Sequence, residues 1–419
     1  MFLLRPSLLD GRSWYTFLAL LFVIFSYSLL IEYHQYTKLS QFDDTYTNAV
    51  VLQESPREKE GKPYLVLKAR LDNGTTFFTS VKPQKKPLVG KEVKLHVWMK
   101  ADFLDYLKGF YLYSRLIEVY DTKSFKSKVN DAIKKQHTDV WMQEMYGALF
   151  LAEGMSSGLR EKLSTLGVSH LLAISGFHLG VLSFVIFIIL LLPYTFLQNR
   201  FFPYRSRNRD LFIISTFILL MYLIFLGSVA SLLRAFVMLM IGYFFHDRGL
   251  KIVSMQTLLL TVLVIFALFP KLIFSMGLWL SVVGVYFIFI FLLHFSQLSK
   301  VWQFVLLPSW VYLMMLPLSL YIFHAFSLWH PVSVLWSMLF TLFYPLSALM
   351  HFIGFGNYAD GILLELFHRV SVVKLTTVHT EFIILYGLVS LMAMRYKTAL
   401  YLLVAMALSI FGVAVYQVA

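Results

Sequence analysis

The segment SHLLAISGFHLG, Ser169 to Gly180, brings His170, Ser175, Gly176 and His178 together with no acid among them and a long apolar run behind them. Imidazole and hydroxyl groups support two chemistries. On a helix, Ser175 and His178 are i, i+3 neighbours, the pairing that a serine nucleophile and its base require. The same groups, with His170 on roughly the face of His178, can line a hydrated passage. Ser175 and Gly176 can also form a close helix contact flanked by two interfacial histidines. A span over 170–196 would measure about 40 Å at 1.5 Å per residue, against a hydrocarbon core of about 30 Å. Its first turns must therefore tilt, stand clear of the lipid or face water, because polar groups at membrane depth face a cavity or a partner.

Arg234 is the second candidate, a single guanidinium inside GSVASLLRAFVMLMIGYFF. It either snorkels to an interface or faces a polar passage, where its planar fork suits phosphate. The third is a polar stretch, Tyr46 to Asp121, with thirteen Lys/Arg against nine Asp/Glu. Lys68, Arg70, Lys82, Lys85, Lys86 and Lys94 stand there with Trp98, Phe77, Phe78 and Tyr113. Cations with aromatic rings are what hold an unpaired nucleic-acid strand, and equally what a solvated sheet face displays.

The elements that must position these residues follow from composition. Of 419 residues, 58% are hydrophobic and only 14% charged, far from the soluble average of about 25% charged. The net charge of +13 suits anionic lipid or a polyanion. Cysteine is absent, which removes disulfides and thiolate chemistry within the chain. Arg5 and Arg12 precede the apolar run Trp14–Ile31, about 18 residues and longer than a signal-peptide core. Residues 1–33 read as a retained anchor with a cytoplasmic N-terminus.

Residues 34–123 alternate with period two in five stretches separated by turn signals. Leu65, Leu67 and Ala69 face one way, and Val93, Leu95, Val97 and Met99 do the same. Five strands with one buried face suggest a small OB-like barrel. Residues 124–169 switch to period 3.6, with Phe125, Val129 and Ile133 among lysines and Trp141, Met145 and Tyr146 continuing the apolar side. This reads as amphipathic helices at the membrane interface, or packed on the β-domain. Residues 170–419 are nearly all membrane, with spans near 170–196, 211–228, 230–245, 253–269, 274–294, 302–323, 381–395 and 397–416. Arg200, Arg205, Arg207 and Arg209 mark a cytoplasmic loop. Returning Met394–Lys397 to that side requires 331–353 to dip and return or to lie flat. The fold class is a polytopic α-helical membrane protein with a small all-β OB-like extracytoplasmic domain near the N-terminus.

No GxxxxGK[ST] loop is present, and the twelve histidines form no HxH or HExxH pair. Neither a nucleotide, a metal nor any other cofactor is expected.

SHLLAISGFHLG closely resembles the signature of the ComEC family of inner-membrane DNA-uptake channels. MYGALFLAEGMSSGLREKLSTLGVSHLLAIS is similar to the family's approach to that signature. GSVASLLRAFVMLM resembles its PSVLRA-type stretch, without the Pro. FSMGLWLSVVGVYF resembles GFQLSFLAVLG, with Trp279 where Gln is usual. The resemblance implies a channel, not an enzyme, for single-stranded DNA in natural transformation. It implies that His170, Ser175, Gly176 and His178 line or brace the pore mouth and that Arg234 meets phosphate. It also implies an OB-like domain outside the inner membrane that receives the strand, a periplasmic or surface DNA receptor and a cytoplasmic motor. Many relatives carry a C-terminal metallo-β-lactamase-like domain, which is not expected here because the chain ends at Ala419. The alternatives are a transporter of a small anion or lipid precursor, and an intramembrane serine hydrolase using Ser175.

Overall fold

The structure, a computed structural model, describes residues 11–40, 45–59, 62–71, 76–83, 88, 90–98, 102–109, 111–120, 125–172, 176–226, 230–247, 254–370, 374–375 and 377–418. The N-terminal anchor is helix α1 (Gly11–Ser40), which runs past the expected end at residue 33. Its last turns carry the contacts that seat the next domain.

Five strands follow: β1 (Thr45–Lys59), β2 (Lys62–Leu71), β3 (Thr76–Val81), β4 (Glu92–Trp98) and β5 (Tyr113–Tyr120). They form one sheet in the order β3-β2-β1-β4-β5, and each neighbouring pair is antiparallel. The outer strands then meet. Leu112 N–H donates to Phe78 O at 2.7 Å, Thr79 and Ser114 hydroxyls lie 2.6 Å apart, and Phe78 bridges Tyr111 in parallel. The sheet thus curls so that its outer strands β3 and β5 meet, as the expected OB-like barrel requires. The alternation read from sequence is the buried face: Ala49, Val51, Leu67, Ala69, Phe77, Val93 and Leu95 are wholly buried. Each large side chain among them contributes roughly 1.5–3 kcal/mol by leaving water. Phe77, expected among the stacking rings, belongs to this core.

Helix α2 (Phe103–Lys108) fastens the barrel to the bundle. Lys271 Nζ, in the turn Pro270–Phe274, lies 2.6 Å from Glu32 Oε2 of α1. It also donates to the Tyr106 hydroxyl at 2.9 Å and sits 4.0 Å from that ring's centroid. Tyr106 OH in turn donates to Glu32 Oε2 at 3.1 Å. Three elements distant in sequence therefore share one charge-assisted node.

The segment expected at the membrane interface divides. Helix α3 (Phe125–Lys134) keeps exposed Phe125, Lys128 and Asp131. Helix α4 (Val140–Leu151) is a core helix, with Met142, Met145, Tyr146, Gly147, Ala148, Leu149 and Leu151 buried. Asp139 caps it by accepting from Trp141 and Met142 N–H. Helix α5 (Ser157–Thr165) is capped by Ser156, whose own hydroxyl and N–H donate to Glu144. It ends before Gly167, which adopts φ +72, a left-handed conformation that glycine takes readily at a helix end.

Helices α6 (Ser169–Leu172), α7 (Gly176–Phe201), α8 (Arg207–Phe225), α9 (Ala230–Asp247), α10 (Met255–Leu268), α11 (Met276–Phe295) and α12 (Lys300–Phe323) come next. At the Arg-rich loop the Arg205 guanidinium clamps buried Asp210, which also accepts from Tyr194, tying α7 to α8. Helix α13 (Ser333–Phe352) is one unbroken element. Strand β6 (Ala325–Phe326) before it pairs with β7 (Lys374–Leu375), beyond α14 (Asp360–Arg369). The α13–α14 segment therefore begins and ends side by side. Helices α15 (Thr380–Ala393) and α16 (Lys397–Val418) complete the chain. Among the described residues seven helices are long and apolar enough to cross a membrane, including α1, α7, α13 and α16. The molecule is a multi-pass membrane protein with a small β-domain.

Candidate nucleic-acid interface

On the outer face of the barrel, period two places rings and cations beside one another across strands. Tyr46 of β1 is registered with His96 of β4, and their rings stack at 4.5 Å. His96 meets Trp98 edge-on at 4.3 Å. Trp98 is registered with Tyr113 of β5, which meets Tyr111 at 5.8 Å. Tyr111 bridges to Phe78 of β3, over which Lys68 Nζ of β2 lies 5.8 Å from the centroid. Tyr46 and Tyr113 are each 62% exposed. The result is a band of aromatic faces on β1, β4, β5 and β3, with Lys68 of β2 beside it.

Cations accompany it. Lys94 Nζ is 6.0 Å from the Tyr46 centroid and faces Glu118 in register, while Arg115 stands exposed opposite His96. Burial pulls the Lys68 ammonium below its ordinary value, so an arriving anion would compensate a desolvated charge. Arg70 lies two residues along β2 on the same face, and Lys82 is exposed at the end of β3. Lys85 and Lys86 lie outside the described residues. The sequence marked Lys68, Lys94, Trp98, Phe78 and Tyr113 but missed Tyr46, His96, Tyr111 and Arg115. Alternation gives each residue's face, whereas register gives its neighbour.

The signature motif lies elsewhere, at a helix junction. Its two histidines sit on separate helices rather than on one face of a single span: His170 on α6, His178 on α7. His170 is an exposed residue whose Nε2 lies 3.3 Å from the Ser337 hydroxyl of α13. His178 is 2% exposed, with Phe340 and Tyr344 of α13 edge-on at 5.1 and 4.8 Å. It is packed into the α7–α13 contact. A Cβ on Gly176 would lie 3.6 Å from the Ala235 Cβ, ordinary contact, so Gly176 admits α9 closely without being required for it. Ser175 and the Arg234 side chain lie outside the described residues. The backbone places Arg234 on α9, one residue from Ala235.

The family model for the competence protein matches residues 151–418, from the end of α4 to the end of α16. No curated protein and no solved structure matches the chain. With well over half of its length matched, and with the signature, bundle and β-domain arranged as above, the chain belongs to the competence protein family of ComEC, membrane proteins with a role in DNA uptake.

Proposed function

We infer that this chain conducts single-stranded DNA across the inner membrane during natural transformation, and that the barrel receives the strand outside. The observation that carries this reading is the aromatic band from Tyr46 through His96, Trp98, Tyr113 and Tyr111 to Phe78, with Lys68, Lys94 and Arg115 beside it. Bases stack on such rings with little sequence preference, at about 1–3 kcal/mol per base, while the cations follow the phosphates. Duplex DNA hides its base faces, so the band favours an unpaired strand. His178 and Gly176 hold the junction of α7, α9 and α13, Ser175 lies on the chain between α6 and α7, and Arg234 is the candidate phosphate contact within the bundle. Catalysis has no part in this reading. The driving force comes from a motor on the cytoplasmic side, and duplex DNA is delivered by a receptor outside.

Binding of a labelled oligothymidylate to the full chain in nanodiscs tests the band. The double variant Trp98→Ala/Tyr113→Ala should weaken binding by about 10-fold or more, from one to two lost stacking contacts. Unchanged affinity would leave the barrel as a scaffold.

A further inference from the structure

A buried polar cluster joins α3–α4 to α13–α14, away from the aromatic band. His137, in the turn between α3 and α4, has a side chain with no exposed surface, and its ring stacks on Tyr146 at 4.5 Å. Its Nδ1 lies 3.0 and 2.9 Å from the two carboxylate oxygens of Asp360. Its Nε2 lies 3.0 Å from Nε2 of His351. His351 Nδ1 is 2.7 Å from the Ser347 carbonyl oxygen.

Donors and acceptors can be counted at each contact. The Ser347 carbonyl only accepts, so His351 Nδ1 carries a hydrogen. A carboxylate at that contact only accepts, so His137 Nδ1 carries another. Between the two Nε2 atoms one hydrogen must lie, since two lone pairs or two N–H groups at that separation repel. Two neutral imidazoles hold two ring protons, and this arrangement requires three. The pair therefore shares one positive charge opposite the Asp360 carboxylate.

We propose that His137, His351 and Asp360 form a proton-binding site whose bound proton latches the α13–α14 segment onto the α3–α4 turn. The latch is reinforced by Gln136, whose Oε1 accepts from Gly356 N–H at 2.8 Å and whose Nε2 donates to the His351 carbonyl at 3.1 Å. An open cleft of about 380 Å³ bordered by Asp131, Lys134, Lys135, His137 and Gln143 adjoins the cluster. The titratable groups around the pair are Asp131, Lys134 and Lys135 from α3, Tyr146 from α4, and Tyr358 and Asp360 from the turn into α14. Burial, and then the Asp360 charge, push the Tyr146 phenol up, so it stays neutral and leaves the proton to the histidines.

The sign follows from the count. The latched state binds the shared proton and the released state does not require it, so latching holds at lower pH and is lost as pH rises through its release. Further acidification puts N–H against N–H or neutralises Asp360, so the latch occupies a window. Because α13 also covers His178 with Phe340 and Tyr344, its release would uncover the signature junction. This inference is independent of whether the barrel binds DNA.

The chain has no cysteine, so spin labels at Ala132→Cys and Ile362→Cys, both exposed, report the latch by electron double resonance in nanodiscs. From about pH 5 to about pH 9, across histidine titration, the distance distribution should be narrow within the window and should shift longer and broaden on the alkaline side. His351→Gln keeps a donor-or-acceptor group facing His137 without titrating, so its alkaline shift should vanish. A wild-type distribution unchanged over that range would overturn the proposal whatever the variant does. An alkaline shift that persists in His351→Gln would overturn it as well.

Discussion

Gly356 has no room for a side chain. A Cβ there would fall 2.6 Å from Gln136 Oε1 and 2.8 Å from the His351 ring, distances that force the neighbours to move. Gly356→Ala should cost about 1–3 kcal/mol through overpacking, read as a lower midpoint of thermal unfolding in detergent. An unchanged midpoint would mean that the turn into α14 yields freely. The sequence gives no hint of this constraint, because Gln136 and His351 are 215 residues apart. The same distance hides the His137–Asp360 pair, separated by 223 residues. His178 was legible as unusual in its motif. Its burial beneath Phe340 and Tyr344 was not, since only packing tells a brace from a pore lining.

Among the elements, the strands were the most legible. A barrel with one dry face writes period two into its sequence, as Leu65, Leu67 and Ala69 or Val93, Leu95 and Val97 show. The burial of helix α4 was not legible for a physical reason: it is packed nearly all round, and such a helix carries no one-sided stripe to reveal what covers it. Nor could the sequence pair Glu32 with Lys271. Lys271→Ala should leave the partly buried Glu32 carboxylate short of a partner, at about 1–3 kcal/mol. Hydrogen exchange should then rise in α2 and in the end of α1. Exchange equal to wild type would show that the apolar contacts of α1 and α2 seat the barrel alone. The exchanged pair Glu32→Lys/Lys271→Glu should recover part of the protection.

At the scale of the whole molecule, hydropathy located the bundle, while the pairing of β6 with β7 brings together the two ends of the α13–α14 segment, whose path the span count left open. A chain with net charge +13 must show that its DNA affinity is more than general attraction. Removing Lys94 and Arg115 together should lower the slope of log affinity against log salt by about 0.7 for each lost phosphate contact, and leave the stacking contribution in place. A slope equal to wild type would remove those cations from the interface. The most direct measurement is photocrosslinking in cells taking up DNA, with a photoreactive amino acid at Trp98 on the barrel and, separately, at Leu233 beside Arg234 on α9. The account predicts adducts to one unpaired strand at both positions. Adducts to duplex DNA alone, or at the barrel but never within the bundle, would contradict it.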